Sequence, residues 1–492
     1  TMDFVRVNLN PTENWSERTR INFLGDTDVK GQSWELMVLL ANATGRDLWI
    51  NVPVKANDQY IDKLAKLIKY GSDGNEPYTT TQAQPKYPPL RSDLKVYVEY
   101  GNEIWNPGPG FSGFAWALEY ANANRLNTSH PIAYDGPVTD QWTGVRRWVA
   151  YRSATISRAF RNNFGDVAMM SRVRPILATQ VGNANNYLRD GLLWAEGYYG
   201  NARDLWYGGG GAAYYESDAA ASNTSMGTMA AYFAGLPSAE FARTTGADAI
   251  WTKGFGLKTV AYEGGPAPGG LATGGVTGTD ELSYAYNNDI RMKDRMQVAH
   301  NTWIANGGDM LVYYVYSAPA PWSFTNGAAN PTVSDTTSVK LQAIDAIRTN
   351  TTATPSLGTA IPGTVYLRAP SAKVIDIAAG GTQWGYNGTA YRITPSSGAD
   401  ASKSEFLLVP VHAATAGTYK ISLNTYDSTA NDRVELFANG KLVGEISATP
   451  STGGQAIKSS EISAELESGV TVFRIRAKAG NGVWLKDVVV TR

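Results

Sequence analysis

The chain has 492 residues, of which 43% are hydrophobic, with 43 basic against 44 acidic side chains and a formal net charge of -1. That length predicts two or three domains rather than one core, and the charge balance excludes a general electrostatic attraction to nucleic acid or to an anionic membrane. Cysteine is absent, which excludes a disulfide scaffold, a thiolate zinc site and a cysteine nucleophile.

The three histidines, His130, His300 and His412, are too scattered to make a metal site, and neither a metal nor a cofactor is expected. No apolar run approaches the roughly 18 residues of a membrane span. No signal peptide stands at Thr1, so an export signal is expected to have been removed. The chain is rich in flat rings, with 14 Trp and 27 Tyr beside 50 Gly. Such rings stack on sugar faces, but they also fill cores.

In chain order, Phe4 to Leu9 reads as a strand, and Trp34 to Leu40 as a helix stopped by Gly45. Leu48 to Val52 is the next strand, followed by a helix with Tyr60, Leu64, Leu67 and Ile68 on one stripe and Gly71 as its stop. Further strands are expected at Val96 to Tyr100, Arg174 to Gln180, Leu205 to Tyr215, Thr259 to Glu263 and Leu311 to Tyr316. Strands alternating with helices predict parallel βα units and a barrel with long loops.

The pattern changes after Arg348. Residues 349–363 are rich in Thr, Ala, Pro and Gly and read as a linker. Beyond it the period is two, with Tyr419, Ile421 and Leu423, then Phe473, Ile475 and Ala477, alternating with polar residues. Asn439-Gly440 between Arg433–Ala438 and Lys441–Val443 predicts a tight hairpin. The expected organisation is a barrel over 1–348 and an antiparallel β-sandwich over 364–492.

Two carboxylates stand out. Val96-Tyr97-Val98-Glu99-Tyr100-Gly101-Asn102-Glu103-Ile104-Trp105-Asn106 places an Asn-Glu pair just past an apolar strand. Thr259-Val260-Ala261-Tyr262-Glu263-Gly264-Gly265 ends another strand on a Glu followed by glycines. Strand ends are where barrel enzymes concentrate catalytic groups, and a protonated and an ionised carboxyl together are what glycosidic cleavage requires.

The segment Val98 to Asn106 resembles the strand-4 signature of the clan of retaining (β/α)8 TIM-type barrel glycosidases that includes cellulases, mannanases and xylanases. The resemblance implies Glu103 as acid/base, Glu263 as nucleophile, Asn102 on the sugar 2-hydroxyl and Trp105 in the substrate site. It also implies Arg6 and Tyr214 beside the nucleophile, with Tyr207 competing for Tyr214's role, and Trp322 as a sugar platform. Trp15-Ser16-Glu17-Arg18, Trp34-Glu35 and Leu48 to Pro53 resemble a bacterial branch of that clan, although Val54 stands where the branch often has His. By this numbering Phe4–Leu9 is strand 2. The first strand is then missing from the chain, and an upstream-derived polypeptide is expected to complete the barrel.

The sandwich resembles jelly-roll carbohydrate-binding modules, with Trp384, Tyr386, Tyr391, Tyr426 and Trp484 as candidate stacking residues and Asn431 and Asp432 as hydrogen-bonding partners. A sandwich that packs on the barrel with those aromatics buried is the alternative, and no stretch spells a calcium loop. The implied function is hydrolysis of a β-linked polysaccharide or oligosaccharide with retention, outside a bacterial cell or on its surface. The rival reading is a non-catalytic glycan-binding or surface-assembly protein on a degenerate barrel.

Overall fold

The computed structural model describes residues 4–22, 29–218, 229–267, 285–316, 322–325, 338–349, 353–361, 365–368, 373–375, 390–396, 403–426, 428–452 and 454–492. They fall into two compact units, residues 1–209 and 210–492.

In the first unit, α1 (Trp34–Thr44) starts at Ser33, whose side chain accepts the Leu36 N–H, and ends at Gly45 in the left-handed region. It leads to β1 (Leu48–Val52), then α2 (Asp58–Tyr70), capped by Asn57 and stopped by Gly71. β2 (Val96–Tyr100) follows, then α3 (Ser112–Asn124), the long α4 (Gln141–Phe164), β3 (Val173–Ala178), α5 (Tyr187–Tyr199) and β4 (Gly208–Gly210). β1, β2 and β3 pair in parallel, with Leu48 opposite Val96 and Val96 opposite Val173.

Each strand is buried on both faces, as a parallel sheet under helices should be. Leu48, Ile50, Val52, Val96, Val98 and Tyr100 join the helices in one apolar core. The other face is polar and aromatic. Trp49 stacks on Tyr97 at 5.2 Å between ring centroids, and the Arg174 guanidinium lies 5.3 Å from the Tyr97 ring. One layer along, the Trp49 indole donates to Glu99 at 2.9 Å and Asn51 donates to the Gly101 carbonyl at 2.8 Å.

Phe4–Leu9 is not a strand. Arg6 sits at φ 51° in a turn closed by the Leu9 N–H on its carbonyl, and the Asn10 amide folds back onto the Val5 carbonyl at 2.7 Å. These short-range bonds capture the backbone groups that a ladder would use, although Val5 and Val7 are buried as their alternation suggests. Arg6 is therefore an exposed turn residue rather than the last residue of a barrel strand.

The segments Trp15–Arg18 and Trp34-Glu35 form a buried brace. Arg18 makes a two-pronged pair with Glu35, at 2.8 and 3.1 Å, and its guanidinium lies 4.3 Å from the Trp15 ring. Ser72 donates to Glu35 at 2.8 Å, and the Trp34 indole donates to the Tyr60 hydroxyl at 2.7 Å.

The second unit opens with β5 (Ala213–Tyr215), α6 (Met229–Ala234), α7 (Ala239–Gly254), β6 (Lys258–Ala261) and β7 (Gly264–Pro266). α8 (Arg291–Ala305), β8 (Met310–Leu311) and α9 (Val339–Thr349) complete its helical part. β5 pairs with β7 and β6 with β8, both in parallel. The strand expected over Leu205 to Tyr215 is broken by glycines, with Gly210 at φ 137° between β4 and β5. The last expected strand shrinks to Met310–Leu311. A closed eight-stranded barrel is not present among the described residues.

The rest of this unit is a sandwich of two sheets. One runs β11 (Lys373–Ile375), β13 (Phe406–Ala413), β19 (Gly469–Ala479), β15 (Arg433–Ala438), β16 (Lys441–Ser447), with β9 (Thr359–Ile361) beside β13. The other is built on β10 (Val365–Arg368), β20 (Val483–Thr491) and β14 (Gly417–Tyr426). In it β12 (Tyr391–Ile393) flanks β20, while β17 (Ile457–Lys458) and β18 (Ile462–Leu466) flank β14.

Tyr419, Ile421 and Leu423 meet Phe473, Ile475 and Ala477 in the core, as the period of two predicts. The expected hairpin forms, with Asn439 at φ 44° and Gly440 at φ 70°. The expected linker carries β9, whose Thr359–Ile361 pairs with Val411–Ala413, so part of it belongs to the sandwich.

Candidate functional site

In the first unit the site is built at the carboxyl end of β2. The Gly101 N–H donates to the Val52 carbonyl at 2.8 Å, and Gly101 turns at φ 64°. A Cβ there would lie 2.7 Å from Ile104 and 2.9 Å from Val54, so glycine is required by both angle and space.

Two residues on, Glu103 is held at φ 44°, a left-handed conformation that an L-residue adopts at a cost of roughly 1–2 kcal/mol. The turn closes with the Asn106 N–H on the Glu103 carbonyl, and the Asn106 amide donates to Glu103 Oε2, both at 2.8 Å. The carboxyl is therefore aimed by its own loop and left half-buried. Asn102 donates to Asn8 Oδ1 at 3.3 Å, inside the turn that runs from Arg6 to Leu9. Trp105, half-buried, meets the Tyr187 ring edge-on at 6.0 Å.

In the second unit Glu263 follows β6 and is 7% exposed. Its carbonyl accepts the Ala213 N–H at 2.8 Å, which ties it to β5. Gly264 packs so closely that a Cβ would lie 2.6 Å from the Ala213 carbonyl oxygen.

Tyr214 pairs across the strands with Gly265, two residues past Glu263, and its ring meets Tyr314 at 6.5 Å. Trp322 comes to the same edge, its carbonyl accepting the Val315 N–H at 3.3 Å, while the Phe324 N–H donates to the Val315 carbonyl at 2.9 Å. The Lys340 ammonium donates to the Ser323 carbonyl at 3.0 Å, and burial lowers its pKa to about 7. The backbone segments that carry Glu263, Tyr214 and Trp322 are thus linked. Tyr207 lies in the first unit, where Arg174 packs 4.5 Å from its ring.

Behind this edge lies a carboxyl that the sequence does not single out. Asp248 on α7 is fully buried, accepts the Gly211 N–H at 2.8 Å through Oδ2, and has no partner for Oδ1. Burial raises its pKa to about 7. Two histidines have structural surroundings: His130 accepts the Ile132 N–H and packs on Trp148 and Tyr151, and His300 contacts the Tyr313 hydroxyl at 3.0 Å. Among the described residues no group of three His, Asp or Glu is placed to hold a metal, and no helix is long and apolar enough to cross a membrane.

On the sandwich, Tyr426 of β14 lies opposite Trp484 of β20, and Trp484 lies opposite Arg392 of β12. The strands alternate, with Val483 and Leu485 inside and Trp484 outside, so Arg392, Trp484 and Tyr426 form one row across the outer face. Lys486 lies 5.8 Å from the Tyr426 ring, and Asn424 donates to Asp487 at 3.2 Å.

Two sandwich expectations need correction. Tyr391 is core, only 2% exposed, because it is on the inward-facing phase of β12. Asp432 is buried and spent on its own loops, accepting from the Thr429 N–H and hydroxyl and from the Asn481 N–H. Asn431 is exposed. Trp384 and Tyr386 lie outside the described residues.

No protein-family model and no curated protein matches the chain. Among solved structures it is similar to a family 35 carbohydrate-binding module from Clostridium thermocellum, at 23% identity over 26% of this chain and 96% of that one, with a TM-score of 0.19. A second is the C-terminal CBM6 of a marine laminarinase from Zobellia galactanivorans, at 15% identity over 26% of this chain and 99% of that one, TM-score 0.19. A third is the Podospora anserina GH26-CBM35 β-(1,4)-mannanase, at 17% identity over 26% of this chain and 27% of that one, TM-score 0.19.

Two residues of these sites, Asn106 and Asp248, carry thin signals in the sequence. Asn106, three residues past Glu103, has the spacing of a turn that closes on its own carboxylate. Nothing local marks Asp248, because the Gly211 N–H that it accepts lies 37 positions away.

Proposed function

We propose that the chain is a retaining glycoside hydrolase acting on a β-linked polysaccharide or oligosaccharide outside the cell, with Glu103 as acid/base and Glu263 as nucleophile. The observation that carries this reading is the Gly101-Asn102-Glu103 turn. It leaves the carboxyl end of a parallel strand and holds Glu103 in a left-handed conformation, with its carboxylate bonded by Asn106. A costly backbone conformation that aims a half-buried carboxyl is readily explained by function and poorly by packing.

In this mechanism Glu263 attacks the anomeric carbon while Glu103 protonates the leaving oxygen. A glycosyl-enzyme ester forms, and Glu103 then deprotonates the water that hydrolyses it, so the configuration is retained. In this reading Tyr214 orients Glu263, and the Trp322 ring offers the adjacent sugar a face.

The sandwich is read as the glycan-holding part. Its outer row of Trp484 and Tyr426 presents two rings in register, flanked by Arg392 and Lys486. That row also favours the rival reading, a protein that binds glycan without cleaving it. Product analysis on a panel of β-linked polysaccharides separates the two. New reducing ends with retained anomeric configuration, lost in Glu263→Gln and Glu103→Gln, support the hydrolase. Binding without products across the panel supports the binder.

A further inference from the structure

We infer that Lys340 is a positioning residue for the sugar platform, holding the segment that carries Trp322 against the strand end next to Glu263. This rests on the reading of Glu103 and Glu263 as the catalytic pair of a glycosidase and of Trp322 as its platform.

Trp322 stands on a short stretch that is neither helix nor strand. One side of this stretch is tied to the chain that follows β8. The Val315 N–H donates to the Trp322 carbonyl at 3.3 Å, the Phe324 N–H to the Val315 carbonyl at 2.9 Å and the Thr325 hydroxyl to the Tyr316 carbonyl at 3.0 Å. That chain is tied in turn to the residue after Glu263, because the Tyr314 N–H donates to the Gly264 carbonyl at 2.8 Å. The Phe324 ring reaches the same place, since a Cβ on Gly265 would lie 3.6 Å from its tip.

The other side is held by the start of α9. Ser338, just before the helix, accepts the Leu341 N–H at 3.2 Å, and its hydroxyl donates to the Phe324 carbonyl. Lys340 is 1% exposed; its ammonium donates to the Ser323 carbonyl at 3.0 Å and lies 5.2 Å from the Phe324 ring. The two carbonyls that directly follow Trp322 are therefore both bonded from α9.

Burying an ammonium is costly, and a methionine would fill similar space without that cost. What the ammonium adds is a charge-assisted bond from a helix to an irregular stretch. Bonds between two irregular stretches leave both free to shift together, whereas a bond to a rigid element fixes the position of the ring. Such a residue governs how well substrate is held rather than the chemical step, so its effect belongs in KM.

The test measures kcat and KM on the full chain, with the oligosaccharide that the wild type cleaves fastest among β-1,4-linked glucans, mannans, xylans and galactans. Trp322→Ala should raise KM about tenfold. Lys340→Met should raise it about fivefold, with kcat changed less than about twofold, and the double variant should be no worse than Trp322→Ala alone. If Lys340→Met fails to fold by circular dichroism, Lys340→Gln takes its place, because its shorter side chain falls short of the Ser323 carbonyl. A merely structural lysine would instead add its loss to that of Trp322→Ala, or lower kcat as much as it raises KM. Either of those results, or an unchanged KM in the Lys340 variant or in Trp322→Ala, overturns the inference and leaves the reading of Glu103 and Glu263 standing. A wild type that releases no product from any of these oligosaccharides overturns both.

Discussion

Glu103 and Asp248 each hold a carboxyl in a place where the folded chain incurs a cost. For Glu103 the cost is conformational. Glycine adopts φ 44° freely, so Glu103→Gly should unfold at no lower temperature than the wild type, gaining up to about 1 kcal/mol less the lost Asn106 bond. Both Glu103→Gly and Glu103→Gln should lose product formation. A clear drop in melting temperature for Glu103→Gly would show that the loop is not strained.

For Asp248 the cost is electrostatic. Its folded pKa of about 7 lies above the ordinary carboxyl value, so the folded state keeps a proton that the unfolded chain has released. Stability is therefore lost as pH rises between roughly 4 and 7, at about 1.4 kcal/mol per pH unit for this one group. Asp248→Asn removes the charge but leaves an amide donor in the place of Oδ1. It should match the wild type near pH 4 and exceed it by about 4 kcal/mol at pH 8. Urea unfolding at the two pH values checks this, and equal differences at both would contradict it.

At the scale of elements, the Arg18–Glu35 brace and the β15–β16 hairpin show how local motifs acquire tertiary weight. Breaking one side of a buried pair strands the other charge, so Arg18→Met should cost about 3–5 kcal/mol. Arg18→Met with Glu35→Leu should recover much of that in chemical denaturation, because neither charge is then buried alone.

The hairpin turn packs against the loop between α7 and β6. A Cβ on Gly440 would lie 2.3 Å from the Gly256 nitrogen and 2.5 Å from Phe255 backbone carbon. Gly440→Ala therefore meets backbone as well as its own positive φ, and a loss of about 3 kcal/mol is expected in thermal unfolding. If alanine is tolerated there, the hairpin does not seat on that loop.

At the scale of the whole molecule, the second unit joins helical segments and sandwich through one apolar seam. Trp251 of α7 and Phe255 just beyond its end meet Phe406 of β13 at 6.3 and 5.9 Å, and Arg474 of β19 lies 4.3 Å from both Phe255 and Phe437. The Ser356 and Leu357 N–H groups donate to the Ala305 carbonyl at the end of α8, so the chain between them is held as well. Residues 210–492 should therefore unfold in a single calorimetric transition. Phe406→Ala should move that transition as a whole, by about 3–5 kcal/mol. A sandwich that melts separately would restore the independent module expected from composition.

The sequence by itself determined the helices α1 and α2 with their glycine stops, the strands β1 to β3, the hairpin at Asn439-Gly440 and the alternating core of the sandwich. Each of these is written in local periodicity or in a residue whose backbone preference acts on its own turn. It also pointed to Glu103 and Glu263, because a carboxylate with flanking Asn or Gly after an apolar run is a local pattern. Tertiary structure decided the rest. Phe4–Leu9 alternates like a strand, yet the Leu9 N–H on Arg6 and the Asn10 amide on Val5 take its backbone groups into turns. Tyr391 and Tyr426 read alike in sequence, but strand phase sends one into the core and the other outside. Lys340 is buried against the Ser323 carbonyl, and Asp248 acquires its raised pKa, only when segments far apart in sequence exclude water from them. Burial and charge pairing are properties of neighbours in space, and no window of sequence contains those neighbours.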